Sequence, residues 1–232
     1  MYKFFNLLHK RLTSSKKFYS FGGIDILVDN IFKNQKKGYY VDVGCSHPIK
    51  NNNTYLLHKK GWTGINIDLD FKNIELFNYS RPNDTNINSA ISDKESEEDF
   101  FFYHDKSPIN TLSKEISTYQ EAKVTKVKKI KTILLNSVLK NSPFSNLPID
   151  FLSIDVEGLE YKILKSFDFI KYKPKVIVVE YLDTTLLKLE IKNSKIDNVI
   201  NSNIYILLVS KGYSLVNWLH SDLVFVNNSI RD

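Results

Sequence analysis

The chain has 232 residues, of which 42% are hydrophobic and 25% are charged, and it carries a formal net charge of +6. This length fits one α/β domain, because single domains cluster near about 100–200 residues. The single cysteine, Cys45, excludes an internal disulfide, and no apolar run approaches the roughly 18–20 residues that a membrane span needs. These features predict a cytoplasmic protein without a membrane span, and the lysines are expected to form a solvated surface.

Residues 1–35 are predicted to form a helical extension in front of a main domain that covers residues 36–232. Within the extension, apolar side chains recur at helical spacing among basic ones over residues 1–17. Such a stripe indicates a helix that docks on the domain or on a second copy of the chain. A homodimer contact is therefore one of the expected roles, and a helix that lies on a membrane surface is a further alternative.

The stretch 39–70 has the pattern of a strand, a glycine turn, a helix and a second strand. Residues 39–43 are aromatic and β-branched, and Gly44 follows at once, where a chain that leaves a parallel sheet must turn sharply. Residues 51–60 are predicted to be helical, and residues 63–67 form the second strand with Asp68 at its end. A carboxylate in this position can accept hydrogen bonds from both hydroxyls of a ribose.

This unit is half of a nucleotide site, and its glycine content indicates which nucleotide it binds. A dinucleotide site uses G-x-G-x-x-G to hold a pyrophosphate on a helix N-terminus. Here one glycine is followed by Cys45, Ser46, His47 and Pro48. The pattern favours S-adenosylmethionine and therefore a methyltransferase, and a dinucleotide-dependent oxidoreductase is the alternative.

The middle of the chain is predicted to add strands and a mobile segment. Residues 86–92 form a third short strand, and residues 100–103 form an aromatic strand. Residues 106–131 are polar and rich in lysine, which predicts a mobile insertion that serves as a lid or an acceptor loop. Its lysines could contact an anionic acceptor.

A second chemical centre follows, where acidic residues end two apolar strands. Asp155 lies at the end of the predicted strand 151–156, and Glu180 ends the strand 176–179. Glu157 and Glu160 are expected to open a helix and to share one of its faces, because they are three residues apart. If the two strands are neighbours, Asp155 and Glu180 point into the same crevice.

Convergent carboxylates have two natural uses at such a site. Asp155 and Glu180 could bind a divalent cation, Mg²⁺ or Mn²⁺, which would lower the pKa of an acceptor hydroxyl. Alternatively, one carboxylate could serve as general base, and His47 is another candidate for that role.

Beyond this centre, residues 186–211 are predicted to be largely helical, and strands 214–218 and 223–226 are expected to pair antiparallel.

Five stretches of the chain resemble the FkbM family of S-adenosylmethionine-dependent methyltransferases. They are YYVDVGCSHPIKNNNTYLLHKKGWTGINID at 39–68, SAISD at 89–93, IDFLSIDVEGLEYKILKSFDF at 149–169, KVIVVE at 175–180 and GYSLVNWLHSDLVFV at 212–226. The resemblance implies a class I methyltransferase fold. This is a Rossmann-like three-layer α/β sandwich around a seven-stranded, mostly parallel sheet with an antiparallel last strand.

The resemblance also implies roles for individual residues. The residues expected around the cofactor are Asp42, Gly44, Cys45, Ser46, Asn53, Thr54, Asp68, Ser89, Ala90 and Asp155. Asp155, Glu157 and Glu160 match the family's D-x-E-G-x-E pattern beside the transferred methyl group. The chain departs from the family at Cys45, where Ala is common, and at Asn52, where Ser is common.

The function expected from this resemblance is methyl transfer from S-adenosyl-L-methionine to a hydroxyl of a sugar or glycan. A methyltransferase that acts on a non-carbohydrate small molecule stays an alternative. A nucleic-acid partner is not expected, because the Asn/Asp-Pro-Pro-aromatic tetrad and a stacking platform among the lysines are both missing from the sequence.

Overall fold

The computed structural model describes residues 17–104, 110–114, 117, 123–182 and 195–230. The predicted apolar stripe at 1–17 lies almost entirely outside these residues, and so does the first part of the predicted helical segment 186–211. Among the helices of the described residues, none is long and apolar enough to cross a membrane.

Helices and strands alternate along the chain. The helices are α1 Ile24–Ile31, α2 Tyr55–Lys59, α3 Phe71–Ser80, α4 Leu135–Lys140, α5 Glu160–Ser166, α6 Phe169–Tyr172, α7 Ile196–Ile200 and α8 Asn203–Ser210. The strands are β1 Tyr39–Val43, β2 Thr63–Asp68, β3 Thr85–Asn88, β4 Ala90–Ser92, β5 Ser96–Phe102, β6 Lys126–Leu134, β7 Phe151–Ile154, β8 Val176–Glu180, β9 Tyr213–Leu219 and β10 Asp222–Asn227.

Seven of these strands form one sheet in the order β3-β2-β1-β7-β8-β10-β9. The pairs from β3 to β8 are parallel, whereas β10 runs antiparallel to both β8 and β9. From β1 the chain adds β2 and β3 on one side and later β7 and β8 on the other side, so the strand order switches between β1 and β7. Ligands of open α/β sheets bind beyond the strand ends at such a point. The predicted fold class is confirmed, including the antiparallel last strand.

Apolar side chains cover both faces of the large sheet. On one face, Val41 and Val43 belong to the same core as buried residues of α4, α5, α6, α7 and α8. On the other face, Tyr40 packs with buried residues of α1 and α2. Ile24 of α1 is fully buried there, so the described part of the predicted extension 1–35 packs against the sheet. The result is the expected three-layer sandwich.

A second, three-stranded sheet has the order β4-β6-β5. Residues 86–92, predicted as one strand, form two, because the chain passes from the large sheet to the small one at Ser89. The last part of the predicted mobile insertion, residues 126–131, is regular strand in β6 and pairs with β5. Residues 106–109, 115–116 and 118–122 of that insertion lie outside the described residues.

The predicted helix after the fourth core strand begins later than expected. Glu157 has a φ of 57° and Gly158 a φ of 104°, which are left-handed conformations that cannot continue a right-handed helix. The helix α5 starts only at Glu160. The prediction that Glu157 and Glu160 share a helix face was therefore wrong, because a turn separates them.

Candidate active site

The site lies at the edge where the parallel strands end. Strands β2, β1, β7 and β8 are in continuous register, so their carboxyl ends meet along one line. Gly44, Asp68, Asp155 and Glu180 all stand at this edge. The nucleotide-site unit and the acidic centre predicted from the sequence therefore lie along the same edge of the sheet.

Asp68 ends β2 at this edge of the sheet and is held by backbone hydrogen bonds. Its two carboxylate oxygens accept hydrogen bonds from the backbone N–H groups of Asp70, at 2.7 Å, and Ser46, at 2.8 Å. The backbone N–H of Ser89 donates to the Asp68 carbonyl at 3.0 Å. Burial raises the pKa of Asp68 to about 6, against the lowering effect of these backbone donors. Ser46 and Ser89 are therefore both bonded to Asp68, Ser46 to its carboxylate and Ser89 to its backbone carbonyl.

Asp42 is turned into the protein and supports the loop after β1. It is buried, and its Oδ2 accepts hydrogen bonds from Thr54 Oγ1, at 3.0 Å, and Asn52 Nδ2, at 3.1 Å. Asn52 also donates to the carbonyl of Cys45 at 3.2 Å. Burial raises the pKa of Asp42, whereas the nearby Arg81 charge lowers it. Its carboxylate is used to hold the loop in shape.

Arg81 completes this support, and no sequence pattern identified it as part of the site. The guanidinium is fully buried and donates to Thr54 Oγ1 and Asn52 Oδ1, both at 2.8 Å, and to the carbonyl of Pro48. It therefore ties the start of the loop to its end. No local pattern marks this role, because Arg81 lies 27 residues from Thr54 in the chain.

A buried polar group lies next to Arg81 on the same side of the sheet. Asp84 accepts hydrogen bonds from the Tyr40 hydroxyl, from Asn66 Nδ2 at 3.0 Å and from the Gly64 N–H at 3.2 Å. These contacts connect β1, β2 and the turn before β3. They fix the strands whose ends carry the site.

Other loop residues have defined positions. Asn53 Nδ2 donates to Ser153 Oγ of β7 at 3.2 Å, which bridges the loop to the second acidic centre. Cys45 is buried, and burial raises the pKa of its thiol well above the ordinary value. The Cys45 thiol is therefore a neutral packing group. Ala90 is buried in β4.

His47 is used within the loop. Its Nδ1 accepts hydrogen bonds from the N–H groups of Ile49 and Lys50, both at 3.0 Å. A neutral imidazole with Nδ1 as acceptor carries its proton on Nε2. His47 would have to break these two bonds to accept a proton, so this geometry favours a structural role over that of general base.

The acidic centre consists of three residues on the far side of the crevice. Asp155, Glu157 and Glu180 each place a carboxylate oxygen within 4.8 Å of the others. Asp155 is open to solvent, yet desolvation by the surrounding protein raises its pKa to about 6, and the negative charges of Asp42 and Asp68 act in the same direction. The structure thus confirms that the ends of β7 and β8 bring Asp155 and Glu180 together.

Glu160 lies apart from these three residues and shapes the turn. It is buried, and its carboxylate accepts hydrogen bonds from the N–H groups of Val156, at 2.9 Å, and Gly158, at 3.1 Å and 3.0 Å. Burial raises its pKa to about 7. Glu160 therefore acts as the anchor of the turn that presents Glu157.

Glu180 is the most enclosed acid of the centre. It is 8% exposed, and its Oε2 is buried with no hydrogen-bond partner among the described residues. Burial, followed by the negative charge of Asp155, raises its pKa well above the ordinary value. Asp222 lies opposite it in the register of β10, and burial raises the pKa of Asp222 to about 7.

The strand order, the three layers and the acidic strand ends define the class I methyltransferase architecture. The model of a sequence family described as "Methyltransferase FkbM domain" matches residues 42–207, which is more than half of the chain. The chain therefore belongs to the FkbM methyltransferase family. Among curated proteins, none shows significant sequence similarity to this chain.

Two solved structures are similar to the chain at low sequence identity. A TehB-like SAM-dependent methyltransferase from Corynebacterium glutamicum is 11% identical with a TM-score of 0.44, over 97% of this chain and 96% of that chain. Monomeric WbdD is 12% identical with a TM-score of 0.42, over 88% of this chain and 40% of that chain. Because both TM-scores are low, the family assignment rests on the sequence match.

Proposed function

We propose that this protein is an S-adenosylmethionine-dependent O-methyltransferase that acts on a hydroxyl of a sugar or glycan. The observation that carries the proposal is the placement of Asp155, Glu157 and Glu180 across the crevice from Asp68. Asp68, on one side, is placed like a carboxylate that binds ribose hydroxyls. The three acids on the other side can bind an alcohol or remove its proton.

The residues of the first side fit the cofactor. Gly44 lies directly against the end of β7, because a Cβ placed on it would be 1.7 Å from the Asp155 carbonyl oxygen, so the loop after β1 starts beside the acidic residues. Asp68 would bind the ribose hydroxyls with the lone pairs that Ser46 and Asp70 leave free, and Ser89 would lie near the adenine. When bound, S-adenosylmethionine supplies an electrophilic methyl group.

The residues of the second side would act on the acceptor. Methyl transfer to an alcohol needs the hydroxyl proton to be removed as the oxygen attacks. Asp155 would accept this proton on a carboxylate oxygen, and its raised pKa of about 6 makes it a stronger base than an ordinary aspartate. The neighbouring acids would accept hydrogen bonds from further hydroxyls, which a sugar has in abundance and a simple alcohol lacks.

Binding and turnover test the proposal separately. We expect S-adenosylhomocysteine to bind in calorimetry and Asp68→Ala to lose at least tenfold in affinity, with Glu75→Gln on the exposed side of α3 as the control. Labelled S-adenosylmethionine with a panel of sugars, glycans and non-sugar alcohols then identifies the acceptor. Failure to bind the cofactor product would contradict the proposal, and methylation of a non-carbohydrate alcohol alone would correct its substrate class.

A further inference from the structure

We propose that Asp155, Glu157 and Glu180 together bind one divalent cation of the Mg²⁺ or Mn²⁺ type on the acceptor side of the crevice. The binding itself follows from the geometry of these residues. Its use, which is to orient and acidify the acceptor hydroxyl, rests on the proposed function. Glu157 is the ligand that the sequence patterns did not assign, since it was grouped with Glu160 on a helix.

The separation of the carboxylates fits a shared ion. Oxygen ligands lie about 2.0–2.1 Å from Mg²⁺ and about 2.3–2.6 Å from the larger Ca²⁺, so two ligands of one ion are at most about 4 Å apart for Mg²⁺ and about 5 Å apart for Ca²⁺. The three carboxylate oxygens lie within 4.8 Å of one another. They come from two neighbouring strand ends and the adjoining turn, which are rigid parts of the scaffold.

An independent observation comes from the buried oxygen of Glu180. Glu180 is 8% exposed, and its Oε2 has no hydrogen-bond partner among the described residues. A buried carboxylate oxygen without a partner is costly, and a bound cation would offset that cost. The charged groups that influence Glu180 most are Asp155, Glu157, Glu160 and Asp222, and all four are acidic.

The turn that carries Glu157 is held in place from two sides. Glu160 accepts hydrogen bonds from the N–H groups on both sides of Glu157, and Thr111 Oγ1 donates to the Glu157 carbonyl at 2.5 Å. The backbone of Glu157 is in the left-handed region, at a φ of 57°. Such strain in a residue other than glycine is maintained when the surrounding structure fixes it, and it is frequent at binding sites.

Mn²⁺ is the probe that tests the site on the full chain without turnover. Free Mn²⁺ is followed by its paramagnetic resonance signal at pH 8 during titration of the protein, and Mg²⁺ is added as competitor. We expect saturable binding at about one ion per chain, displaced by Mg²⁺. Glu157→Gln and Glu180→Gln should each bind at least tenfold more weakly, whereas the exposed Glu75→Gln should bind as the unaltered protein does.

Circular dichroism melts of the same variants establish that each is folded. Glu180→Gln removes a buried charge and keeps the shape of the side chain, so it should fold at least as well as the unaltered protein. Equal Mn²⁺ binding by the unaltered protein and both variants, or no saturable binding by any of them, would overturn the inference.

Calorimetry with S-adenosylhomocysteine in the absence of metal separates the two proposals. Cofactor binding without Mn²⁺ binding removes only the cation site, and Mn²⁺ binding without cofactor binding removes only the proposed function.

Discussion

Gly44 and Asp155 touch through their backbones at the ends of the neighbouring strands β1 and β7. A Cβ on Gly44 would lie 1.7 Å from the Asp155 carbonyl oxygen, so the end of β1 and the end of β7 leave no room for a side chain. The φ of Gly44 is also 79°, in the region that L-residues avoid. The loop after β1 and the acidic centre therefore meet at this point.

The substitution Gly44→Ala should disrupt this junction. The left-handed conformation costs an L-residue roughly 1–2 kcal/mol, and the contact with a backbone oxygen adds to this, so we expect a loss of more than about 2 kcal/mol in the free energy of unfolding. S-adenosylhomocysteine binding should be lost as well. Urea unfolding and calorimetry measure the two effects.

Gly61→Ala is the matched control for Gly44→Ala. Gly61 has a φ of 88°, but nothing lies within 4 Å of a Cβ placed there. Gly61→Ala should therefore lower the free energy of unfolding only by the cost of the left-handed conformation. Its affinity for S-adenosylhomocysteine should be unchanged. Equal effects of the two substitutions would show that the contact with Asp155 is unimportant.

Arg81→Met should weaken the loop that follows β1. The substitution leaves Asn52 Oδ1, the Pro48 carbonyl and Asp42 without their buried cation. Removing one charge from such a buried network costs about 3–5 kcal/mol. We expect a loss of that size in urea unfolding and weaker binding of S-adenosylhomocysteine.

Lys60→Met provides the comparison for Arg81→Met. Lys60 forms a partly exposed ion pair with Asp29, and such surface pairs contribute about 0–1 kcal/mol. If both substitutions lower stability by the same small amount, the buried role of Arg81 is contradicted.

The stability of the protein should rise as the pH falls from about 8 to about 5. The pKa values of Asp68 and Asp155 are raised to about 6, and those of Glu160 and Asp222 to about 7. In this window the folded protein binds protons that the unfolded chain, with ordinary carboxyl pKa values near 4, does not bind. Linkage then makes the folded state more stable at the lower pH, and thermal melts across the range measure this.

Two variants test the origin of that pH dependence. Glu180→Gln removes an acid whose pKa is raised in the same direction, so it should flatten the dependence. His58 acts in the opposite direction, because burial lowers its pKa and its protonation opposes folding at low pH. His58→Asn should therefore steepen the rise, and a stability that falls steadily below pH 8 in all three proteins would contradict the prediction.

Asp155→Asn should abolish most of the turnover while the cofactor product still binds. A general base contributes about 10²–10⁴-fold to the rate, so kcat should fall by that factor with the true acceptor. In the unaltered enzyme assayed without a divalent cation, kcat should rise with pH through about 6 as Asp155 ionises. Full activity of the variant, or an unchanged pH profile, would remove Asp155 from the role of base.

Several features could be predicted from the residues alone, and they are local ones. The strand at 39–43, the turn at Gly44 and the acid at Asp68 follow from side-chain type and spacing over a few positions. The apolar run that ends at Glu180 is of the same kind. The seven-stranded, mostly parallel sheet with an antiparallel last strand was also predicted, since the resemblance to the FkbM family implied it, and the structure confirms it, whereas the order of the strands was not predicted.

Only the tertiary structure could decide which polar groups meet. Arg81 reaches Thr54, and Thr111 reaches the carbonyl of Glu157, across 27 and 46 residues of chain. No periodicity encodes such contacts, because they depend on how separate elements pack. The same holds for the turn at Glu157, where helical spacing predicted a continuous helix. There, the buried carboxylate of Glu160 binds the backbone N–H groups of the turn and holds Glu157 in a conformation that its local sequence does not favour.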